Sequence, residues 1–200
     1  MSPRSSLADA ARTRERIVRT AVDEASRIGL EGLTIGALAD RLGMSKAGVI
    51  GPFGTRDILQ GEVLERASLI FRTAVVDPLA GVPPGPDRLA RLIDAWIDYL
   101  ADCPFPGGCF VTSVSAELDG RPGPLRDRVR AAVIDWHTLL TAEIAAAQQD
   151  STVSDRFAEE IATTLVGISM AVNQGIQLLD DRSAAARGRR AMRHAAGLTG

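Results

Sequence analysis

Residues 34–53 read "TIGALADRLGMSKAGVIGPF", and the fold turns on how this stretch divides. Ile35, Leu38, Ala39 and Leu42 recur at three- to four-residue spacing, the stripe of a short amphipathic helix, with Thr34 placed as an N-cap and Gly43 placed to stop it. Ser45 then caps a second short helix carrying Val49 and Ile50. That helix soon meets Gly48, Gly51 and Pro52. Gly48 gives up a side chain in mid-helix, Gly51 precedes a proline and so disfavours the α conformation, and Pro52 cannot donate to the Gly48 carbonyl. The second helix is expected to end near Ile50.

Two short helices joined by a tight turn have the length and apolar spacing of a helix-turn-helix. Ala39 is small where the helices cross, Gly43 lets the backbone turn, and Ile35, Leu38, Leu42 and Val49 hold the pair against a preceding helix. The front of the second helix is then free to enter a DNA major groove. Its amides and the Ser45 hydroxyl suit a phosphate oxygen, and Lys46, the one lysine of the chain, reaches a base edge or a phosphate.

Outward from this stretch the chain reads as helix almost throughout, so the fold class is all-α. Ile17, Val18, Ala21, Val22, Ala25 and Ile28 form one helical face that Gly29 can end, and "GLEGL" turns the chain into Thr34. After "GPFG" a fourth helix runs from about Thr55 through Ile58, Leu59, Val63, Leu64, Ala67, Ile70 and Phe71. "DPLAGVPPGPD" is a break rich in Pro and Gly, and longer helices follow at about 87–102, 108–118, 124–149, 154–180 and 183–196. No alternating strand pattern competes, and no internal repeat is visible. The expected domains are 1–55, a three-helix helix-turn-helix unit with an N-terminal arm, and 56–200, a helical ligand-binding and dimerisation domain.

The totals narrow the partners. Net charge is −2, but residues 1–60 carry nine basic and seven acidic side chains, a balance of +2, and residues 61–200 carry fourteen and eighteen, a balance of −4. An anion-binding surface is therefore expected in the first third. Arg12, Arg14, Arg16 and Arg19 are its densest part, although such a cluster is also what a solvated helix face looks like. No run approaches the roughly 18 apolar residues of a membrane span, and "MSPRSSLADAARTRER" has no signal-peptide core, so the expected place is the cytoplasm. Cys103 and Cys109 have no His or carboxylate at zinc spacing, so no metal or cofactor is expected.

Residues 13–65, "TRERIVRTAVDEASRIGLEGLTIGALADRLGMSKAGVIGPFGTRDILQGEVLE", closely resemble the DNA-binding domain of the TetR family of transcriptional regulators. "PFPGGCFVTSVSAELDGRPGPLRD", residues 104–127, resembles a stretch found in one subgroup of it. The resemblance implies an Ω-shaped homodimer, two helix-turn-helix heads on a pseudo-palindromic operator in double-stranded DNA, and a C-terminal domain that binds a small inducer and forms the dimer. One departure matters. Many relatives end the recognition helix with aromatic and histidine side chains that touch phosphates, where this chain has Ile50, Gly51 and Pro52. Phosphate anchoring is therefore expected to shift to Thr34, Ser45, Thr55, Arg56 and an arm around Arg12 and Arg14. Base reading then falls to Lys46 and the backbone near Ala47 and Gly48, supplemented by DNA shape or the minor-groove arm.

In the second domain the candidate ligand-binding residues are Trp96, Tyr99, Phe110, Trp136, His137, Met170, Asn173 and Gln174. Trp96 also fits a core position. Asn173 and Gln174 are amides in an otherwise apolar helix, suited to a polar group of a ligand, to solvent, or to a dimer seam. With only 4% aromatic residues, the ligand is expected to be small and mostly apolar. Gly167, Ser169, Ala171 and Gly175 are small enough to let a second helix approach, which places the seam there. "CPFPGGC" is either an ordinary loop with two thiols or a redox pair, Cys103 with Cys109.

Three functions are weighed. The first is a ligand-responsive repressor, in which ligand binding changes the spacing of the two heads through the fourth helix. The others are a dimeric adaptor with an impaired DNA-binding head, and a thiol hydrolase using Cys109 and His137. The hydrolase lacks a base at a recognisable spacing, so no catalytic residue is assigned.

Overall fold

The computed structural model describes residues 3–149 and 156–198. The described residues form helices and turns, with no strand: α1 Pro3–Ile28, α2 Ile35–Leu42, α3 Lys46–Ile50, α4 Arg56–Val75, a single 3₁₀ turn Asp77–Leu79, α5 Pro86–Ala101, α6 Phe110–Leu118, α7 Pro124–Ala147, α8 Ala158–Gln177 and α9 Ala184–Ala195. The expected start of the eighth helix at Ser154 lies outside the described residues. The 3₁₀ turn was not anticipated; it sits inside the Pro/Gly break, with Pro78 in its first turn and Leu79 buried.

Two compact units emerge, residues 1–69 with 105–129, and residues 70–104 with 130–200. Helices α4 and α7 each contribute residues to both.

In the first unit, the stripe of α1 is buried except at its last member: Ile17, Val18, Ala21, Val22 and Ala25 are closed to solvent, Ile28 at the end of the helix is exposed, and Gly29 at φ 79° ends the helix. Leu38, Ala39 and Val49 join that core, while Ile35 and Leu42 are only half-buried. Leu59, Val63, Leu64 and Ala67 of α4 complete it, together with Phe105, Phe110, Val114 and Leu118. Helix α6 thus belongs to the same unit as the helix-turn-helix.

The second unit is built on α5, whose Leu89, Leu92, Ile93, Trp96, Ile97 and Leu100 are all buried. Arg88 clamps its start: the guanidinium donates to both Glu143 oxygens on α7, at 2.9 and 2.8 Å, and to the Leu79 and Val82 carbonyls at 2.7 and 2.9 Å. The Pro/Gly break is thereby ordered by backbone acceptors. On α9, Gly188 faces Val172 of α8 so closely that a Cβ would lie 2.2 Å from Val172 Cγ2. Gly175 likewise faces Ala184, at 2.9 Å from a built Cβ. The small-residue stripe of α8 therefore divides: Ser169 and Gly175 are buried, Gly175 against the chain's own α9, while Gly167 and Ala171 stay exposed.

Candidate nucleic-acid interface and ligand-binding face

Local hydrogen bonds shape the helix-turn-helix. Thr34 lies extended before α2, and its Oγ1 accepts the Ala37 amide at 3.1 Å. Gly43 at φ 62° closes a Schellman turn, in which the Met44 amide reaches the Ala39 carbonyl at 2.9 Å. Ser45 Oγ accepts the Gly48 amide at 3.0 Å, and Thr55 does the same for Ile58 at 3.2 Å. Each such cap is worth about 1 kcal/mol. Each hydroxyl also keeps its own proton, a donor suited to a phosphate oxygen.

Helix α3 ends at Ile50 as its sequence predicts, but Gly51 does not leave the α region. Its φ and ψ are −50° and −46°, and its amide meets the Ala47 carbonyl at 2.8 Å. A glycine has no Cβ to strike the following proline ring, so half of the usual pre-proline clash is missing. The backbone makes one more turn, with the Phe53 and Gly54 amides both on the Ile50 carbonyl at 2.9 Å, and Phe53 drops into the core. Gly48 has a packing reason as well. A Cβ there would come within 3.2 Å of the capping Ser45 Oγ.

Ser45, Lys46 and Ala47 are exposed in a row. The Lys46 stem runs past Gly36 on α2, where a Cβ would sit 3.4 Å from Lys46 Cε. The lysine thus lies across the junction of α2 and α3, at ordinary contact distance from where a side chain at Gly36 would begin.

The arginines are placed differently from expectation. No extended arm carries Arg12 and Arg14: both lie within α1, which is already helical at Pro3 because no helix breaker follows that proline. Arg12 is exposed and pairs with Asp9 one turn earlier. Arg14 donates to Glu62 and to the Pro52 carbonyl, and Arg56 donates to the Glu31 carbonyl at 2.6 Å. These long-range bonds could not be seen from charge clustering.

The second unit gathers aromatic rings. Phe71 meets Tyr99 and Trp136 at 5.1 and 4.9 Å between centroids, and Trp96 meets Trp136 at 4.8 Å, all close to perpendicular. Edge-to-face packing of this kind stabilises by about 0.5–1.5 kcal/mol per pair. Three of the eight candidates are thus brought together, and Phe71, last in the apolar stripe of α4, joins them. Trp96 is 3% exposed and is a core residue of its unit. His137 and Asn173 are half-buried, while Met170 and Gln174 are exposed on α8. Phe110 lies in the first unit, 5.8 Å from Phe105. Cys103 and Cys109 form no disulfide.

Residues 85–192, more than half of the chain, match the family described as "Tetracyclin repressor-like, C-terminal domain". The chain belongs to the TetR family. No curated protein matches the sequence. A TetR transcriptional regulator from Chloroflexus aurantiacus is similar over 92% of this chain and 93% of its own, at 21% identity and a TM-score of 0.82. AibR, solved with isovaleryl coenzyme A and operator DNA, is similar over 88% and 96%, at 17% identity and a TM-score of 0.73. A putative transcriptional regulator from Saccharomonospora viridis, solved with choline, is similar over 92% and 95%, at 21% identity and a TM-score of 0.73. At these identities the likeness carries the fold. As a TetR-family protein the chain is a ligand-responsive, DNA-binding transcriptional regulator and not an enzyme, which removes the hydrolase reading of Cys109 and His137. Among the described residues no helix is long and apolar enough to cross a membrane, and no group of three or more His, Cys, Asp or Glu is placed to hold a metal.

Proposed function

We propose that this TetR-family protein is a cytoplasmic repressor that binds a pseudo-palindromic operator as a homodimer and is released by a small, mostly apolar molecule. The observation that carries the reading is the exposed Ser45–Lys46–Ala47 front of α3, with the lysine laid along Gly36 and the hydroxyls of Thr34, Ser45 and Thr55 beside short caps. Lys46 supplies the base or phosphate contact, Ala47 and Gly48 allow the backbone to approach, and Arg12 adds a further positive charge.

The effector is received in the second unit, where the half-buried Phe71 and Trp136, packed edge-to-face on the core residues Trp96 and Tyr99, offer an apolar aromatic wall. AibR was solved with isovaleryl coenzyme A and the S. viridis protein with choline, so proteins of this fold accommodate molecules of unlike chemistry. Helices α4 and α7, which contribute to both units, carry the ligand's effect to the DNA-binding residues. The dimer forms through α8, where Thr163, Gly167, Met170, Ala171 and Gln174 are exposed at helical spacing, and through Ile134 of α7.

Selection from a random-sequence duplex pool, followed by sedimentation of the complex, tests the proposal. Enrichment of an inverted repeat bound by two chains supports it; a monomeric particle, or a pool that stays random, contradicts it.

A further inference from the structure

We infer that Arg14 is a positioning residue for the recognition helix and not a phosphate anchor. The inference rests on the operator-binding reading and names a residue on which it depends. Helix α3 has only five residues, and its tail, Gly51–Pro52–Phe53, runs into a turn and not into a further helix. Something outside the tail must hold it in place.

Arg14 does so with every donor group it has. Nε donates to Glu62 Oε2 at 3.0 Å, one terminal nitrogen donates to Glu62 Oε1, and the other donates to the Pro52 carbonyl. The guanidinium carbon also lies 4.5 Å from the centroid of the Phe53 ring, whose residue is only 4% exposed. One side chain therefore joins α1, the tail of α3 and the second turn of α4. The neighbouring residue adds a crossed pair of opposite polarity, Glu15 with Arg66 on α4 at 2.8 Å.

Turning Arg14 toward a phosphate would cost all of this at once: it would leave the part-buried Glu62 carboxylate without its partner, uncap the Pro52 carbonyl and uncover Phe53. A planar fork that bridges a carboxylate, a carbonyl and a ring face is specific to arginine, because the ammonium of lysine is a point charge. The angle at which α3 presents Ser45 and Lys46 then depends on Arg14, although Arg14 itself stays off the DNA.

The test measures fluorescence anisotropy with a duplex enriched by the wild-type protein and with a scrambled duplex of equal length, across roughly 50–200 mM salt. Arg14→Gln and Arg14→Lys are both expected to weaken binding to the enriched duplex by about tenfold, the scale of a lost charge-assisted network, with an unchanged salt slope. Glu62→Ala is expected to weaken it too, although that change removes a negative charge. A phosphate anchor behaves in the opposite way. Arg14→Gln would flatten the slope by about 0.9, Arg14→Lys would keep the affinity, and Glu62→Ala would leave it unchanged or raise it; any of these results overturns the inference. Circular dichroism identifies a variant that does not fold, and the remaining two then decide. A wild-type protein that enriches no duplex removes operator binding itself, which is a separate failure.

Discussion

Glu117 on α6 accepts the backbone amide of Leu30 at 2.8 Å, and its other oxygen accepts that of Glu31 at 2.8 Å. A residue far along the chain thus closes the turn between α1 and α2. Its carboxylate fills the space that a side chain at Gly29 would need, with a built Cβ only 2.5 Å from Oε1. Nearby, the Gly107 amide donates to Ser26 Oγ at 3.2 Å, and a Cβ at Gly107 would lie 1.7 Å from the Ser26 carbonyl. Glu117→Ala should destabilise the first unit by about 1–3 kcal/mol, chiefly through the part-buried Leu30 amide it leaves unpaired and little through the exposed Glu31 amide, and Glu117→Gln by less, since one acceptor survives. Thermal melting measures this; equal midpoints for all three proteins would remove Glu117 from the turn.

Trp96 and Trp136 are the only tryptophans in the chain, and they touch each other. Intrinsic fluorescence therefore reports on the aromatic group directly. A small apolar effector bound there should shift or quench the emission and weaken operator binding over the same concentration range. Trp136→Phe should retain DNA binding while raising the effector concentration needed for release. Release at the wild-type concentration from Trp136→Phe would place the effector elsewhere.

The α5–α9 contact predicts a pH dependence. Burial works against ionisation of Asp94, but hydrogen bonds from Arg193 and Arg189 outweigh it and hold the carboxyl below its usual range. Arg189 reaches Asp94 Oδ1 at 2.9 Å, and Arg193 spans both oxygens. A carboxyl with a lowered folded value stabilises the protein at pH above its unfolded value, about 3.9, and that contribution fades as pH falls toward the folded value. The gap in melting temperature between wild type and Asp94→Asn should be widest at neutral pH and shrink below about pH 4. A gap that stays constant down to pH 3 would show that the ion pairs contribute nothing.

Gly188→Ala places a methyl group against Val172, a β-branched side chain with little freedom to move aside. The expected cost is about 1–3 kcal/mol from overpacking between α8 and α9, although alanine is the better helix former. Val172→Ala in the same chain should recover part of it. Urea unfolding of the three proteins measures both effects, and a stabilised Gly188→Ala would mean that α9 shifts freely.

What the sequence revealed and what it hid follow from the range of the interactions. Thr34, Gly43 and Ser45 act on atoms within a few residues, so their caps and turn are readable from residue type and spacing alone. The apolar stripes of α1 and α5 were readable for the same reason. Arg14 with Glu62, and Glu117 with Leu30, join residues brought together only by the tertiary fold, and nothing in local composition distinguishes such an arginine from one that faces DNA. At Gly51–Pro52 the sequence places the end of α3 at Ile50 correctly but not the α conformation of Gly51, because a glycine lacks the Cβ that supplies part of the pre-proline clash. On α8, Gly175 does mark a close helix approach, but to the chain's own α9, while Gly167 and Ala171 stay exposed; periodicity does not encode the choice of partner.

Hydroxyl-radical footprinting of the enriched duplex tests the operator claim most directly, with wild type and Lys46→Ala compared side by side. Two protected patches centred about one helical turn apart, or a multiple of it, are predicted for wild type, each fading in Lys46→Ala. Protection that is continuous along the duplex, or that survives Lys46→Ala undiminished at both patches, would contradict the account.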